Sequence, residues 1–107
     1  MSAQIVELQA TPAGNRQRVR LLAKMQDLAD TPPYLELSVI DPDGRIAATT
    51  LVMGVMEPQM EMTLHLRPTA TESETRPYRA RGRLFFGSES QEEVTFSTLE
   101  IEFHFPQ

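Results

Sequence analysis

Three arginines alternate along one segment of the chain, at Arg79, Arg81 and Arg83. Because an extended strand turns every second side chain to the same face, the three guanidinium groups would form a row. Such a row could bind a phosphate or a carboxylate ligand through bidentate hydrogen bonds. It could also pair with acidic side chains of neighbouring strands, such as Glu36 and Glu100. We favour these cross-strand pairs, each of which contributes about 0.2–1 kcal/mol.

The two histidines, His65 and His104, each share a predicted strand face with a glutamate, Glu61 or Glu102. Imidazole and carboxylate groups are common ligands of zinc. Two histidines on separate strands supply only part of a ligand set, and the chain has no cysteine to complete it. We therefore predict solvated histidines and no metal site.

The tetrapeptide Asp41-Pro42-Asp43-Gly44 brings two carboxylates together and suggests a calcium loop. It lacks the further acidic ligands that such a loop requires. Proline presets φ at its position and glycine accepts a positive φ, so the four residues are typical of a tight turn. We predict a turn without a bound ion.

Catalytic motifs are missing from the sequence. It contains no glycine-rich phosphate loop, no nucleophile elbow and no HExxH pair. With no cysteine there is also no thiol nucleophile. We predict no catalytic residues and no cofactor, and hence a protein that is not an enzyme.

Length and composition predict one globular domain over residues 1–107, with 40% hydrophobic and 23% charged residues. The net charge of −5 argues against nucleic acid as a partner, because a nucleic-acid interface needs a clustered basic face. No apolar run reaches the length of a membrane span, and the first ten residues do not have the pattern of a secretory signal. Since the absence of cysteine also suits a reducing compartment, we expect a cytoplasmic protein and no membrane partner.

Apolar residues recur with a period of two in segments separated by proline, glycine and acidic loops, which is typical of antiparallel sheets. The last segment changes phase midway, which predicts a bulge around Ser97-Thr98. We predict an all-β, two-sheet antiparallel sandwich of about seven strands. The predicted strands cover residues 3–11, 16–25, 34–41, 45–56, 59–67, 77–87 and 94–105.

Parts of this pattern resemble an immunoglobulin-like or fibronectin type III-like sandwich. The segment Pro77-Tyr78-Arg79-Ala80 resembles the sixth strand of such domains, where a tyrosine often begins the strand. The turn at Asp41-Pro42-Asp43-Gly44 and the strand ending in Leu64-His65-Leu66 are also similar to macroglobulin-type sandwiches. The paired cysteines and the tryptophan of antibody domains are absent. The resemblance therefore implies an architecture and leaves the activity open.

The fourth predicted strand is apolar on both faces, which is unusual for a strand that faces solvent on one side. If this strand lies at a sheet edge, it offers unpaired backbone and apolar side chains to a protein partner or to a second copy of the chain. We therefore predict a protein-interaction module with a possible homodimer. The candidate interaction residues are Ala47, Thr49, Leu51, Met53 and Met56.

Two alternatives to this interaction site remain. The loop over residues 68–76 could cover the strand, in which case its apolar side chains belong to the core. A different class of function is a small apolar ligand bound in a pocket lined by the methionines and by Phe85, Phe86 or Phe96. Methionine suits either role, because its flexible side chain adapts to irregular partners.

Overall fold

The computed structural model describes residues 3–13, 17–28, 32–66, 76–88 and 91–105. These residues form seven strands and no helix that could cross a membrane. The strands are β1 (Gln4–Pro12), β2 (Arg18–Gln26), β3 (Tyr34–Ile40), β4 (Ile46–Val52), β5 (Gln59–His65), β6 (Tyr78–Ser88) and β7 (Gln91–Phe103).

The strands make two antiparallel sheets that pack as the layers of a sandwich. One sheet has three strands in the order β1-β2-β5, and the other has four in the order β4-β3-β6-β7. This arrangement confirms the predicted all-β sandwich. It also settles the edges of the two sheets, because β1, β5, β4 and β7 stand at the ends of these orders.

The core lies between the two sheets and is built from alternating residues. On β2, Val19, Leu21 and Ala23 are fully buried while Arg18 and Arg20 face solvent. The inner face of β3 and β6 follows the same alternation. Its fully buried members are Leu35, Leu37, Val39, Ala80 and Leu84.

One side of the sandwich is closed by β1 and β7, which pack against each other. The backbone N–H of Ile5 donates a hydrogen bond of 3.1 Å to the hydroxyl oxygen of Ser97. The ladder between β6 and β7 shifts register where Phe85 pairs with Thr95 and Leu84 with Ser97. The extra residue is therefore Phe96, which confirms a bulge and places it just before the predicted Ser97-Thr98. The alternation along this segment also predicts that Val94 and Phe96 point into the core, but their side chains lie outside the described part of the structure.

The strand β4 is shorter than the predicted segment 45–56, because the chain leaves the sheet after Val52. Gly54 has a φ of 78°, a left-handed conformation that glycine adopts without strain. Val55 then turns inward, where it is fully buried and its N–H donates a hydrogen bond of 2.8 Å to the carbonyl oxygen of Pro33. Met53 and Met56 consequently lie in a turn beyond the strand.

Candidate interaction edge

The outer face of the four-stranded sheet carries the arginine row, and ion pairs hold two of its three members. Arg79 approaches Glu100 to 3.0 Å, and Arg83 approaches Glu36 to 3.4 Å. Both contacts confirm the prediction of cross-strand pairing. Arg81 stands opposite Glu100 in the register, although that carboxylate binds the neighbouring Arg79 instead.

Aromatic side chains occupy one end of the same face. The guanidinium carbon of Arg83 lies 4.1 Å from the centre of the Phe85 ring, a cation–π contact. Tyr34 meets the same ring edge-on, with a centroid distance of 5.5 Å. Phe85 is therefore buried although it points away from the core, because Arg83 and Tyr34 cover it.

The candidate residues lie at the edge of this sheet. The register sets Leu51 opposite Glu36 and Thr49 opposite Ser38, so both face outward. Ala47 is the extra residue of a bulge in β4, because Val39 pairs with Ala48 and Ile40 with Ile46. The structure thus brings Ala47, Thr49 and Leu51 together on one strand and sets Met53 and Met56 apart in the following turn.

Three apolar members of this group are open to solvent, whereas the fourth, Ala47, is partly buried and packs against the core. Leu51 is 48% exposed, Met53 73% and Met56 78%. The loop that could cover them, residues 68–76, lies outside the described residues except for Arg76. No segment in the described part of the chain covers the side chains of Leu51, Met53 and Met56.

The strand β3 carries a buried hydroxyl group, that of Ser38, opposite the middle residue of β4. Ser38 is only 1% exposed, although it lies on the outer face. Its hydroxyl oxygen is 3.0 Å from that of Thr49, and either group can donate the hydrogen bond. Thr49 thus has a structural role that the pattern of alternation did not reveal, because it depends on which residue of β3 stands opposite.

The four edge strands differ in the residues that protect them against pairing with a further strand. Charged side chains and prolines normally guard sheet edges against unwanted pairing. β1 contains Glu7 and ends at Pro12, β5 contains Glu61, and β7 contains Glu100 and Glu102. In contrast, β4 has the sequence IAATTLV, which contains neither charge nor proline.

A groove separates β4 from β5 on the open side of the sandwich. Its volume is about 500 Å³, and its walls come from residues 46–50 of β4 and 63–65 of β5. Threonine and alanine predominate, with His65 at one end. Sequence patterns did not predict the groove, because β4 and β5 belong to different sheets and meet only through the packing of the sandwich.

The histidines and carboxylates do not gather into a metal site in the described part of the chain. No group of three or more histidine, aspartate or glutamate side chains is close enough there to hold an ion. A second groove of about 280 Å³ lies beside Thr11, Arg18 and Arg20. Neither groove is lined by methionine or phenylalanine, so the apolar ligand pocket stays a prediction.

The predicted turn is confirmed, and its carboxylates are engaged within the protein. One side-chain oxygen of Asp41 accepts hydrogen bonds of 2.9 Å from the N–H groups of Asp43 and Arg45. Gly44 has a φ of 87° and donates its N–H to the carbonyl oxygen of Asp41. The side chain of Asp43 forms an ion pair of 3.0 Å with Arg76.

Comparisons with known proteins bear on the fold. No family model matches the chain, and no curated protein matches it. Among solved structures, it is similar to a beta-glucuronidase from Lactobacillus rhamnosus, with a TM-score of 0.55 and 14% sequence identity. The match covers 96% of this chain and 16% of that enzyme. At this identity the likeness concerns the fold alone, and the chain corresponds to a small part of the larger protein.

Proposed function

We propose that this chain is a non-enzymatic protein-interaction module that binds an extended strand along the free edge of β4. The partner is another protein or a second copy of the chain. One observation carries the proposal. Of the four edge strands, β4 is the one without a charged residue or a proline. No described segment forms backbone hydrogen bonds with the edge of β4 that points away from β3.

The physical basis is the unpaired backbone of an edge strand. In an antiparallel ladder, alternate residues direct their N–H and C=O groups toward each side of the strand. The groups that point away from β3 are available to a strand that extends the sheet. Such strand addition takes its affinity from the main chain and its specificity from the side chains next to it.

Apolar side chains beside the edge add contact area for the partner. Leu51 is on the outer face of β4, and Met53 and Met56 follow in the turn. Their flexible or branched side chains can pack on a bound strand and be removed from water, a gain of roughly 25 cal/mol per Å² of apolar surface. The interaction surface in this proposal is therefore β4 together with the turn after it.

The finer class of the fold is also part of the proposal. An immunoglobulin-like or fibronectin type III-like sandwich is supported by the facing sets of three and four strands. The fourth strand pairs with the third here, whereas in constant-type immunoglobulin domains it joins the sheet of the first, second and fifth strands. A cytoplasmic setting is supported by the cysteine-free sequence, which has no disulfide to lose in a reducing compartment.

Thr49→Glu is the variant that tests this function. The new carboxylate can still accept the Ser38 hydrogen bond, and Arg81 is the next residue in the same cross-strand row. The fold should therefore persist while the edge gains a charge that opposes strand addition. We expect association, with itself or with a purified partner, to weaken by about tenfold, which is about 1.4 kcal/mol.

The matched control is Thr98→Glu, on the opposite edge of the same sheet. Thr98 is also exposed, it stands opposite Arg83, and the substitution changes the net charge by the same amount. Sedimentation velocity and quantitative binding of the wild type and both variants give the comparison. Equal weakening by the two variants, or none by Thr49→Glu, would contradict β4 as the binding element.

A further inference from the structure

We infer that the outer face of the three-stranded sheet carries a binding site for a phosphate group, centred on Arg18 and Arg20. The site is the groove of about 280 Å³ on this face. Its lining residues are Thr11, Pro12, Ala13, Arg18, Arg20 and Thr63, and no carboxylate of the described residues is among them. The inference does not depend on the proposed function, because β4 belongs to the other sheet.

The strand register brings the two arginines and two hydroxyl groups together. Arg20 pairs with Thr11 of β1 on one side and with Thr63 of β5 on the other, so the three side chains share a face of the sheet. Arg18 lies two residues away on the same strand and therefore shares this face as well. All four residues are exposed. The Cα atoms of the two arginines are about 7 Å apart, so both guanidinium groups can reach one ligand.

The guanidinium group of Arg18 has no ion-pair partner in the described part of the chain. Its neighbour across the ladder with β5 is His65, which is not an acid. Lys24, on the same face of the same strand, is by contrast paired with Glu7 at 3.2 Å. Because the protein as a whole has a net charge of −5, the positive charge at this end of the face is a local feature that attracts an anion.

Arg20 has a partner that a ligand can replace. Its Nε atom is 3.5 Å from Oε1 of Glu61, and the two side chains are 60% and 53% exposed. Ion pairs this open to water are weak, because solvent screens them. A phosphate group carries more negative charge than a carboxylate and accepts bidentate hydrogen bonds from guanidinium groups. Phosphate should therefore displace Glu61 from Arg20.

The arrangement of donors favours phosphate over a carboxylate ligand. Each guanidinium group offers up to five N–H donors, and each threonine hydroxyl group offers one more. The arginines approach from the middle strand, while Thr11 and Thr63 approach from the strands on either side. A carboxylate has two oxygen atoms in one plane to accept these bonds, whereas a phosphate monoester has three acceptor oxygens around a tetrahedral centre. Donors from three strands therefore suit the tetrahedral anion.

Titration with inorganic phosphate, followed through the amide resonances of isotope-labelled protein, tests the site. We expect saturable shifts at residues 11, 18, 20 and 63. Arg18→Gln should weaken binding by about tenfold, because it removes charge-assisted hydrogen bonds. The matched control is Arg81→Gln, on the outer face of the other sheet. Arg81 also has no ion pair in the described structure, and the substitution changes the net charge by the same amount.

A second pair of variants tests the role of Glu61. Glu61→Gln should strengthen phosphate binding by about threefold, because it removes the carboxylate that competes for Arg20. Glu7→Gln makes the same change of charge on the same face but frees Lys24, so it should leave the affinity unchanged. Equal effects of these two variants would show that the groove does not select the ligand.

Parallel titrations with glycerol phosphate and with acetate, at constant ionic strength, identify the ligand. Tighter binding of glycerol phosphate than of inorganic phosphate would assign the site to phosphate carried by a larger molecule, and the reverse order would assign it to the free anion. Acetate that binds as tightly as phosphate, equal weakening by Arg18→Gln and Arg81→Gln, or no saturable shift at the four positions would overturn the site.

Discussion

Ser38 has a buried hydroxyl group on the outer sheet face, which also carries the arginine row. Its partner Thr49 is exposed and has water as an alternative partner. The two hydroxyl groups of this hydrogen bond thus differ in their access to water. Removing the exposed partner leaves a buried polar group unsatisfied, whereas removing the buried one does not.

Because Ser38 is buried and Thr49 is exposed, removing the hydroxyl group of one should lower the free energy of unfolding by a different amount from removing that of the other. Thr49→Val should lower the free energy of unfolding by about 1–3 kcal/mol, because the Ser38 hydroxyl stays buried without a partner. Ser38→Ala should lower it by less than about 1 kcal/mol. Urea denaturation of the two variants measures both values.

The double variant Ser38→Ala with Thr49→Val provides the control. Replacing both partners by apolar groups is close to neutral, so the double variant should be more stable than Thr49→Val alone. If its loss instead equals the sum of the two single losses, the hydrogen bond between these residues does not contribute as argued.

The residue types of the outer face were predictable, but their partners were predictable only in part. The alternation of Arg79 and Arg83 with apolar residues implied a solvated face, and Glu36 and Glu100 were plausible partners. The buried state of Ser38 and Phe85 was not predictable. It depends on covering side chains from neighbouring strands, which a pattern along one strand does not contain.

At the scale of elements, the turn from β3 into β4 determines how the edge strand is presented. Asp41 holds the turn through its bonds to Asp43 and Arg45, and Gly44 supplies the positive φ. A methyl group at Gly44 would meet no atom within 4 Å. Any cost of substitution there is therefore conformational and not steric.

Gly44→Ala should lower the free energy of unfolding by about 1–2 kcal/mol, the cost of a left-handed conformation for an L-residue. Gly44→Asn should cost less, because asparagine tolerates positive φ better than alanine. Thermal or urea unfolding of the two variants gives the comparison. An alanine variant as stable as the wild type would show that the turn does not require positive φ.

The strands themselves were largely predictable, because β2, β3 and β6 alternate cleanly between apolar and polar residues. The end of β4 was not, since the run of apolar residues continues past Val52 while Gly54 turns the chain away. The sequence allowed the edge position of β4 to be stated only as a condition, because that position depends on the order of the strands in the sheet. That order results from pairing between distant segments, such as β3 with β6.

At the scale of the whole molecule, the two sides of the sandwich differ. On one side, β1 packs against β7 and the Ile5 to Ser97 hydrogen bond joins the two sheets. On the other, a groove of about 500 Å³ lies between β4 and β5. The unprotected edge strand thus borders the open side, where a further strand can approach without displacing any described segment.

Amide hydrogen exchange across a range of protein concentrations tests the central claim most directly. The account predicts that exchange within β4 slows as concentration rises or when a purified partner is added, because paired amides are protected. Exchange in the edge strands β1, β5 and β7 should remain unchanged. A β4 that exchanges at the same rate under all these conditions, or protection that falls on another edge, would contradict the account.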